Sequence, residues 1–171
     1  MDLKQYIRDV PDFPTPGILF RDITPLLRDP AAFGHALSLI EGAVASMQVD
    51  AVVGIESRGF LFGTPVASRL GLPFVPVRKA GKLPAARMSV EYSLEYGNSQ
   101  LDIHADALAR GQRAVIVDDL LATGGTARAA AKLVELVGAT VAGIVFLVEL
   151  EALSGRAHLQ PYEVTTFVRY E

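Results

Sequence analysis

Two acids and a glycine-rich turn lie close together in the stretch VIVDDLLATGGT, residues 115–126. Asp118 and Asp119 follow an apolar run, and a Gly-Gly pair then stands between two threonines. Main-chain N–H groups of such a turn, with the start of a following helix, bind phosphate. Carboxylates instead accept hydrogen bonds from sugar hydroxyls. The residues favour a ribose 5-phosphate site, and the alternative is that the acids only cap the helix and the glycines only turn the chain.

Two further polar groups follow other apolar runs of the chain. One group follows AVVGI and consists of Glu56, Ser57, Arg58 and Gly59. The other follows FVPV and contains Arg78, Lys79 and Lys82. Ligands of open parallel sheets bind outside the carboxyl ends of the strands, so we expect all three groups at one edge. The cations there suit a pyrophosphate, although a lone surface arginine at a helix start is an equally common reading of Arg58.

The elements that must position these residues alternate along the chain. Short apolar runs predict strands at residues 51–55, 74–77, 114–117, 141–148 and 163–168. Helical patterns cover residues 29–47, 58–71 and 126–138. Asp29 is a candidate N-cap before Pro30, and Gly71 and Gly138 are candidate C-caps. Alternating strands and helices predict an α/β fold with a central, mostly parallel sheet flanked by helices.

One segment does not follow this alternation. Residues 81–99 show no sustained helical or strand period, yet they are long for a connection inside a compact domain. The charges of Lys82, Arg87, Glu91 and Glu95 favour a lid that contacts a polar ligand. A two-stranded excursion on the surface is the alternative.

Composition limits the classes of function. The chain has 171 residues, half of them apolar, and is most simply one domain. A net charge of -3 gives no general reason to bind nucleic acid. There is no cysteine, which excludes thiolate sites and is consistent with a reducing cytoplasm. The charged N-terminus does not resemble a secretory signal, and no apolar stretch reaches the roughly 18 to 20 residues that cross a bilayer. We expect a cytoplasmic protein without membrane partners.

VIVDDLLATGGT resembles the phosphoribosyl pyrophosphate (PRPP) signature of type I phosphoribosyltransferases, which is highly specific. FPTPGILFRDITPLL, GIESRGFLFG, RKAGKLP and YSLEYG, in this order, resemble the adenine-specific members of that family. The resemblance runs from about Tyr6 to the C-terminal strand. It implies the type I phosphoribosyltransferase fold in one domain, 1–171, with a small N-terminal hood (about 1–30) and a flexible lid (about 81–99). It also implies AMP and pyrophosphate formation from adenine and PRPP in purine salvage, dependence on Mg²⁺, and a homodimer.

The resemblance implies a role for each group of residues. The 5-phosphate is assigned to Ala122, Thr123, Gly124, Gly125 and Thr126. The ribose hydroxyls are assigned to Asp118 and Asp119. The pyrophosphate side is assigned to Glu56, Ser57, Arg58, Gly59, Arg78, Lys79 and Lys82. Adenine is assigned to Leu19, Phe20 and Arg21. Glu95 of the lid is placed beside the base and the reacting carbon as the catalytic residue. Mg²⁺ is expected to be held mainly through the substrate, without a direct protein ligand.

Several alternatives stand beside this interpretation. A non-catalytic phosphoribosyl-binding regulator would keep the glycine-rich turn but could dispense with Glu95. A transferase for 6-oxopurines would read the base with a lysine. Without the resemblance, Phe13 and Phe20 read as core aromatics. The scattered histidines read as structural or surface residues, namely His35, His104 and His158. Ala85, Ala86 and Arg87 depart from the polar or acidic residue that bacterial relatives often have there.

Overall fold

The computed structural model describes residues 1–93 and 97–171. By its internal contacts the chain divides into two compact units, Met1–Leu39 and Ile40–Glu171. The first unit includes the residues predicted to form a hood. In the described part of the chain, no helix combines the length and the apolar character that a membrane span requires.

The first unit contains a two-stranded antiparallel sheet. Its strands are β1 (Arg8–Pro11) and β2 (Leu19–Asp22), paired from Arg8↔Asp22 to Pro11↔Leu19. Its helices are a 3₁₀ helix (Leu3–Tyr6), α1 (Thr24–Arg28) and the beginning of α2 (Pro30–Ser46). The carboxylate of Asp29 accepts hydrogen bonds from the N–H groups of Ala31 and Ala32 at 3.0 and 2.9 Å. The predicted N-cap of α2 is therefore confirmed.

The second unit is built on a sheet that has seven strands within the described residues, in the order β5-β6-β4-β3-β7-β8-β9. The strands are β3 (Ala51–Ile55), β4 (Phe74–Lys79), β5 (Arg87–Ser93), β6 (Asn98–His104), β7 (Arg113–Leu121), β8 (Thr140–Leu150) and β9 (Val164–Tyr170). The helices are α3 (Gly59–Leu70), α4 (Gly125–Leu136), a 3₁₀ helix (Glu151–Leu153) and α5 (Gly155–His158).

The parallel part of this sheet confirms the strand and helix predictions. Strands β4, β3, β7, β8 and β9 run parallel to one another. All residues of β3 are buried, as its continuous apolar run predicts. Helix α3 ends at Gly71, which has a φ of 65° and forms the expected left-handed C-cap. Helix α4 packs its buried alanines, Leu133 and Val134 into the main apolar cluster with β3, β7 and β8.

The position of the two acids differs from the expectation that they follow a strand. Strand β7 continues to Leu121, so Asp118 and Asp119 lie within it. The strand is this long because β8 pairs with it as far as Leu121↔Glu149. On its other side, the register with β3 ends at Gly54↔Val117. The acids therefore lie just beyond the end of β3, still at the carboxyl edge of the sheet.

The segment without a clear period is a β-hairpin in its described part. Strands β5 and β6 pair antiparallel from Arg87↔His104 to Ser93↔Asn98, and β6 pairs antiparallel with β4. This is the two-stranded alternative. It was not the favoured prediction, although β5 alternates polar and apolar residues in RMSVEYS and half-buries Val90 and Tyr92. Closure of this hairpin over a ligand stays a prediction.

Candidate functional site

A cavity of about 260 Å³ opens at the carboxyl edge of the sheet in the second unit. It lies where β3, β4 and β7 end, as the strand-end rule predicts. Its walls are formed by Glu56, Ser57, Arg58, Lys79, Tyr92, Leu101, residues 118–127 and Phe146. The cavity thus brings together the acid pair, the glycine-rich turn and part of the cationic group.

The glycine-rich turn, residues 122–126, is called the phosphate loop below. Gly124 is the N-cap of α4 and has a φ of 85°, which glycine adopts readily. No side chain caps the helix, so no cap competes for the N–H groups of its first turn. These groups and the helix dipole favour an anion at this end of the cavity. Because Gly124 occupies the N-cap position, Asp118 and Asp119 do not cap α4.

One oxygen of the acid pair, Asp118 and Asp119, accepts no hydrogen bond from the described residues. Asp119 is only 3% exposed, and its Oδ2 lies 2.9 Å from Nε of Arg58 in an ion pair. Among the described residues, no donor makes a hydrogen bond of good geometry to this oxygen. The N–H group of Asp119 donates to Oδ1 of Asp118 at 2.9 Å. This buried oxygen is therefore balanced by the charge of Arg58 rather than by a hydrogen bond.

Burial and proximity change how the acid pair titrates. Burial raises the pKa of Asp118 well above its ordinary value of 3.8, and the charge of Asp119 raises it further. Burial also raises the pKa of Asp119, against the opposing charge of Arg58. Two carboxyls this close release their protons as a coupled pair. The ligand-free pair therefore takes up a proton more readily than two independent carboxyls would.

Glu56 holds the strand end that carries the cations. Its carboxylate accepts hydrogen bonds from Nε and Nη2 of Arg78 at 3.2 and 3.3 Å, and from the N–H group of Lys79 at 2.9 Å. Burial alone would raise the pKa of Glu56, but these donors hold it below its ordinary value. The structure places Glu56 and Lys79 on the cavity wall, with Arg78 beside them.

Gly59 and Lys82 do not line this cavity. A Cβ atom at Gly59 would lie 2.8 Å from both Oδ1 of Asp118 and the carbonyl oxygen of Val117. Glycine therefore lets the start of α3 lie directly against the acids. Lys82 is exposed, and its carbonyl oxygen accepts a hydrogen bond from Arg78 at 3.4 Å.

The residues predicted to read adenine lie on β2 of the first unit. Leu19 is 44% exposed and Phe20 is half-buried. The ring of Phe20 meets that of Phe13 edge to face, with the ring centres 5.1 Å apart. Arg21 forms an ion pair with Asp9. Because Phe13 is 50% exposed, the interpretation of both rings as core aromatics is wrong for Phe13.

The remaining predicted residues are a lid acid and three histidines. Glu95 lies outside the described residues. Within the described part of the chain, no group of three or more His, Cys, Asp or Glu side chains is arranged to hold a metal ion. His104 accepts a hydrogen bond from the N–H group of Ala85 at 3.4 Å, and His158 contacts the phosphate loop.

Three further residues contact the phosphate loop, and sequence reasoning did not place two of them, Gly155 and His158, at this site. The hydroxyl of Tyr92, on β5, lies 3.5 Å from Oγ1 of Thr126. Gly155 and His158 contact the phosphate loop from α5. All three are more than 25 residues from their contacts along the chain. Tyr92 lies in the motif YSLEYG of the predicted lid, whereas the local patterns around Gly155 and His158 carry no signal of this proximity.

Comparisons with known proteins show which family this chain is similar to. The model of the family described as phosphoribosyl transferase domain matches residues 24–168. An adenine phosphoribosyltransferase of Carboxydothermus hydrogenoformans is 56% identical over 170 residues, covering 99% of this chain and 100% of that protein.

Solved structures are similar over nearly the whole chain. The adenine phosphoribosyltransferase of Thermoanaerobacter pseudethanolicus has a TM-score of 0.96 and 52% identity, covering 99% of this chain and 98% of that one. The enzyme of Saccharomyces cerevisiae, complexed with D-2,5-dideoxy-2,5-imino-altritol 1,6-bisphosphate and adenine, has a TM-score of 0.88 and 43% identity. That match covers 98% of this chain and 96% of that one.

Proposed function

The chain belongs to the adenine phosphoribosyltransferases, within the phosphoribosyl transferase domain family, and from this premise we propose how its residues carry out the reaction. The enzyme transfers the 5-phosphoribosyl group of PRPP to adenine and releases AMP and pyrophosphate, a step of purine salvage. One observation carries the assignment of roles, namely that the acid pair and the uncapped start of α4 line the same cavity.

The ribose 5-phosphate part of PRPP would bind between the phosphate loop and the acid pair. The main-chain N–H groups at the start of α4 and the hydroxyls of Thr123 and Thr126 would donate to the 5-phosphate. The acid pair would accept hydrogen bonds from the ribose hydroxyls. Charge-assisted hydrogen bonds of this kind are the stronger ones in proteins. Donation by the sugar would also favour the ionised form of both carboxyls.

The pyrophosphate would leave toward the cationic side of the cavity. Arg58 and Lys79 line that side, and the Arg78–Glu56 contacts orient the end of β4. In the reaction the bond from the anomeric carbon to pyrophosphate breaks, the bond to N9 of adenine forms, and the N9 proton is lost. The sugar passes through an oxocarbenium-like state. Cations that neutralise the leaving pyrophosphate and walls that exclude water therefore lower the barrier.

Mg²⁺ is part of this proposal. The carboxylates of Asp118 and Asp119 line the cavity, and hard oxygen donors of this kind fit Mg²⁺ and the waters that it keeps. No cage of three or more acidic or histidine side chains exists among the described residues, so substrate phosphates would complete the coordination. Bound Mg²⁺ would neutralise phosphate charge and help the pyrophosphate to leave.

Adenine would be read by the first unit. Leu19 and Phe20 offer apolar surface for the base, and the main chain at Arg21 would face its N1 and N6 edge. Glu95 would hydrogen-bond the base at N7 as the catalytic residue, and the hairpin of β5 and β6 would act as the lid that brings it there. We also propose a homodimer in the cytoplasm, on the family resemblance. Sedimentation at twice the mass of the chain would support the dimer.

A coupled assay with PRPP, Mg²⁺ and each purine base in turn tests this function. Adenine has an N6 donor beside an N1 acceptor, whereas hypoxanthine and guanine have the reverse pattern at that edge. A mismatched base leaves buried polar groups unpaired, so we expect kcat/KM for adenine to exceed that for either 6-oxopurine by at least about a thousandfold. Comparable turnover of a 6-oxopurine would contradict the adenine assignment. Binding of PRPP without turnover of any base would instead support a regulator.

A further inference from the structure

The turn after β8 packs directly against the back of the phosphate loop. We call residues 154–160 the supporting turn. A Cβ atom at Gly155 would lie only 2.1 Å from the carbonyl oxygen of Ala122. A Cβ atom at Gly124 would lie 2.7 Å from the carbonyl oxygen of Gly155. The two main chains are therefore in contact, and only glycine at both positions allows this approach.

His158 adds a directed hydrogen bond to this contact. Its Nδ1 atom lies 2.7 Å from the carbonyl oxygen of Thr123. A carbonyl oxygen only accepts, so Nδ1 carries the proton and donates. The next residue, Leu159, is fully buried, and its Cγ atom lies 3.4 Å from the position of a Cβ at Gly124.

Arg128 ties the supporting turn to the helix that follows the phosphate loop. Its Nη1 atom donates to the carbonyl oxygens of His158 at 2.6 Å and Gln160 at 3.4 Å. Arg128 belongs to the first turn of α4. The supporting turn thus contacts both the phosphate loop and the start of the helix that this loop begins.

The geometry of the peptide bond links these contacts to phosphate binding. In a planar trans peptide, the C=O of one residue and the N–H of the next point in opposite directions. The carbonyls of Ala122 and Thr123 both face the supporting turn. The N–H groups of Thr123 and Gly124 therefore face away from it. These two residues also line the cavity, where the 5-phosphate would bind.

We propose that His158 and Gly155 are positioning residues for the PRPP 5-phosphate, acting through the peptide planes of the phosphate loop. This inference rests on the proposed function and deepens it. Neither residue needs to touch the substrate. They keep the loop N–H groups oriented before PRPP arrives, so that binding does not have to order the loop.

Substitution of His158 tests the inference. His158→Ala should raise KM for PRPP, and Kd for ribose 5-phosphate, by about three- to tenfold, since one hydrogen bond is lost. KM for adenine should change by less than twofold. His158→Asn should restore KM for PRPP toward the wild-type value, because its side-chain amide can donate from near the Nδ1 position. His35→Ala, a matched substitution in the other unit, serves as the control.

The outcomes separate this inference from its alternatives. Equal KM for PRPP in wild type and His158→Ala would overturn it, as would an equal rise in KM for both substrates, which indicates general destabilisation. Failure of His158→Asn to restore binding would also overturn it. Gly155→Ala should raise KM for PRPP by more than tenfold, since the new methyl group displaces the loop. If wild type itself does not turn over PRPP with any purine, the proposed function fails instead.

Discussion

Two acidic groups lie at the carboxyl ends of neighbouring strands, and they differ in the hydrogen-bond donors that surround them. The acid pair is on β7, and Glu149 is on β8, next to Leu121 in the sheet register. Glu149 receives two hydrogen bonds from Arg156, at 3.1 and 2.6 Å, and one from Thr166 at 2.7 Å. Glu149 and Asp119 are buried and Asp118 is half-buried, but only Glu149 accepts hydrogen bonds from side-chain donors at both carboxylate oxygens.

The supply of donors decides the direction of each pKa shift. Hydrogen bonds from Arg156 hold the pKa of Glu149 below its ordinary value, although burial opposes them. For Asp118 and Asp119, burial dominates and raises the pKa. A buried acid whose ionised form the protein stabilises contributes to stability, whereas acids with raised pKa values in a cavity are candidates for binding a ligand. The comparison therefore predicts a structural role for Glu149 and a binding role for the acid pair.

The largest effect on activity is expected from removing the charges of the acid pair. The double substitution Asp118→Asn with Asp119→Asn should lower kcat by at least about a hundredfold, because charge-assisted hydrogen bonds contribute about 1.5 to 3 kcal/mol each. The fold should remain intact, as circular dichroism would check. A double variant with near wild-type kcat would contradict the assignment of the pair to the ribose hydroxyls.

The matched change at Glu149 should act on stability instead. Glu149→Gln should lower the free energy of unfolding by about 1 to 3 kcal/mol, since a charged partner of the half-exposed Arg156 is lost. Denaturant titration measures this difference. The kcat of the folded variant should fall by less than about threefold. A hundredfold loss of kcat without loss of stability would contradict the structural role of Glu149.

The smallest effect is expected in how stability depends on pH. The acid pair and Glu149 should change stability in opposite directions as pH rises. The raised pKa of Asp118 means that its ionisation costs stability, which falls as pH rises from the ordinary value of 3.8 through the folded-state pKa. The double Asn variant should therefore unfold at a higher temperature than ligand-free wild type at pH 7 in EDTA. The difference between the two unfolding temperatures should be smaller in acid.

Glu149 should show the reverse sign in the same experiment. Its lowered pKa adds stability that is present above the ordinary value of 4.5 and is lost as pH falls through the folded-state pKa. The loss of stability in Glu149→Gln relative to wild type should therefore be largest at pH 7 and become smaller in acid. If both variants were more stable than wild type at pH 7, or both less stable, the distinction between the two acidic groups would be contradicted.

Much of the fold could be predicted because its signals are local. Five parallel strands are continuous apolar runs, and Asp29 and Gly71 mark helix ends by their own side-chain and backbone chemistry. The hairpin of β5 and β6 was only the alternative prediction, because the polar and apolar alternation of RMSVEYS covers just the seven residues of β5 within a longer segment. The extension of β7 past the acids was missed because it depends on its partner, β8.

The sequence by itself determined the family, the parallel α/β core and the motif that joins the acid pair to the phosphate loop, because these depend on residues that are neighbours in the chain. The tertiary structure alone decided which acids find donors and what supports the loop. Arg156 satisfies Glu149, while Asp119 keeps an oxygen without a hydrogen bond. His158 reaches Thr123 across 35 residues. Such contacts follow from the packing of distant segments, which local patterns do not encode.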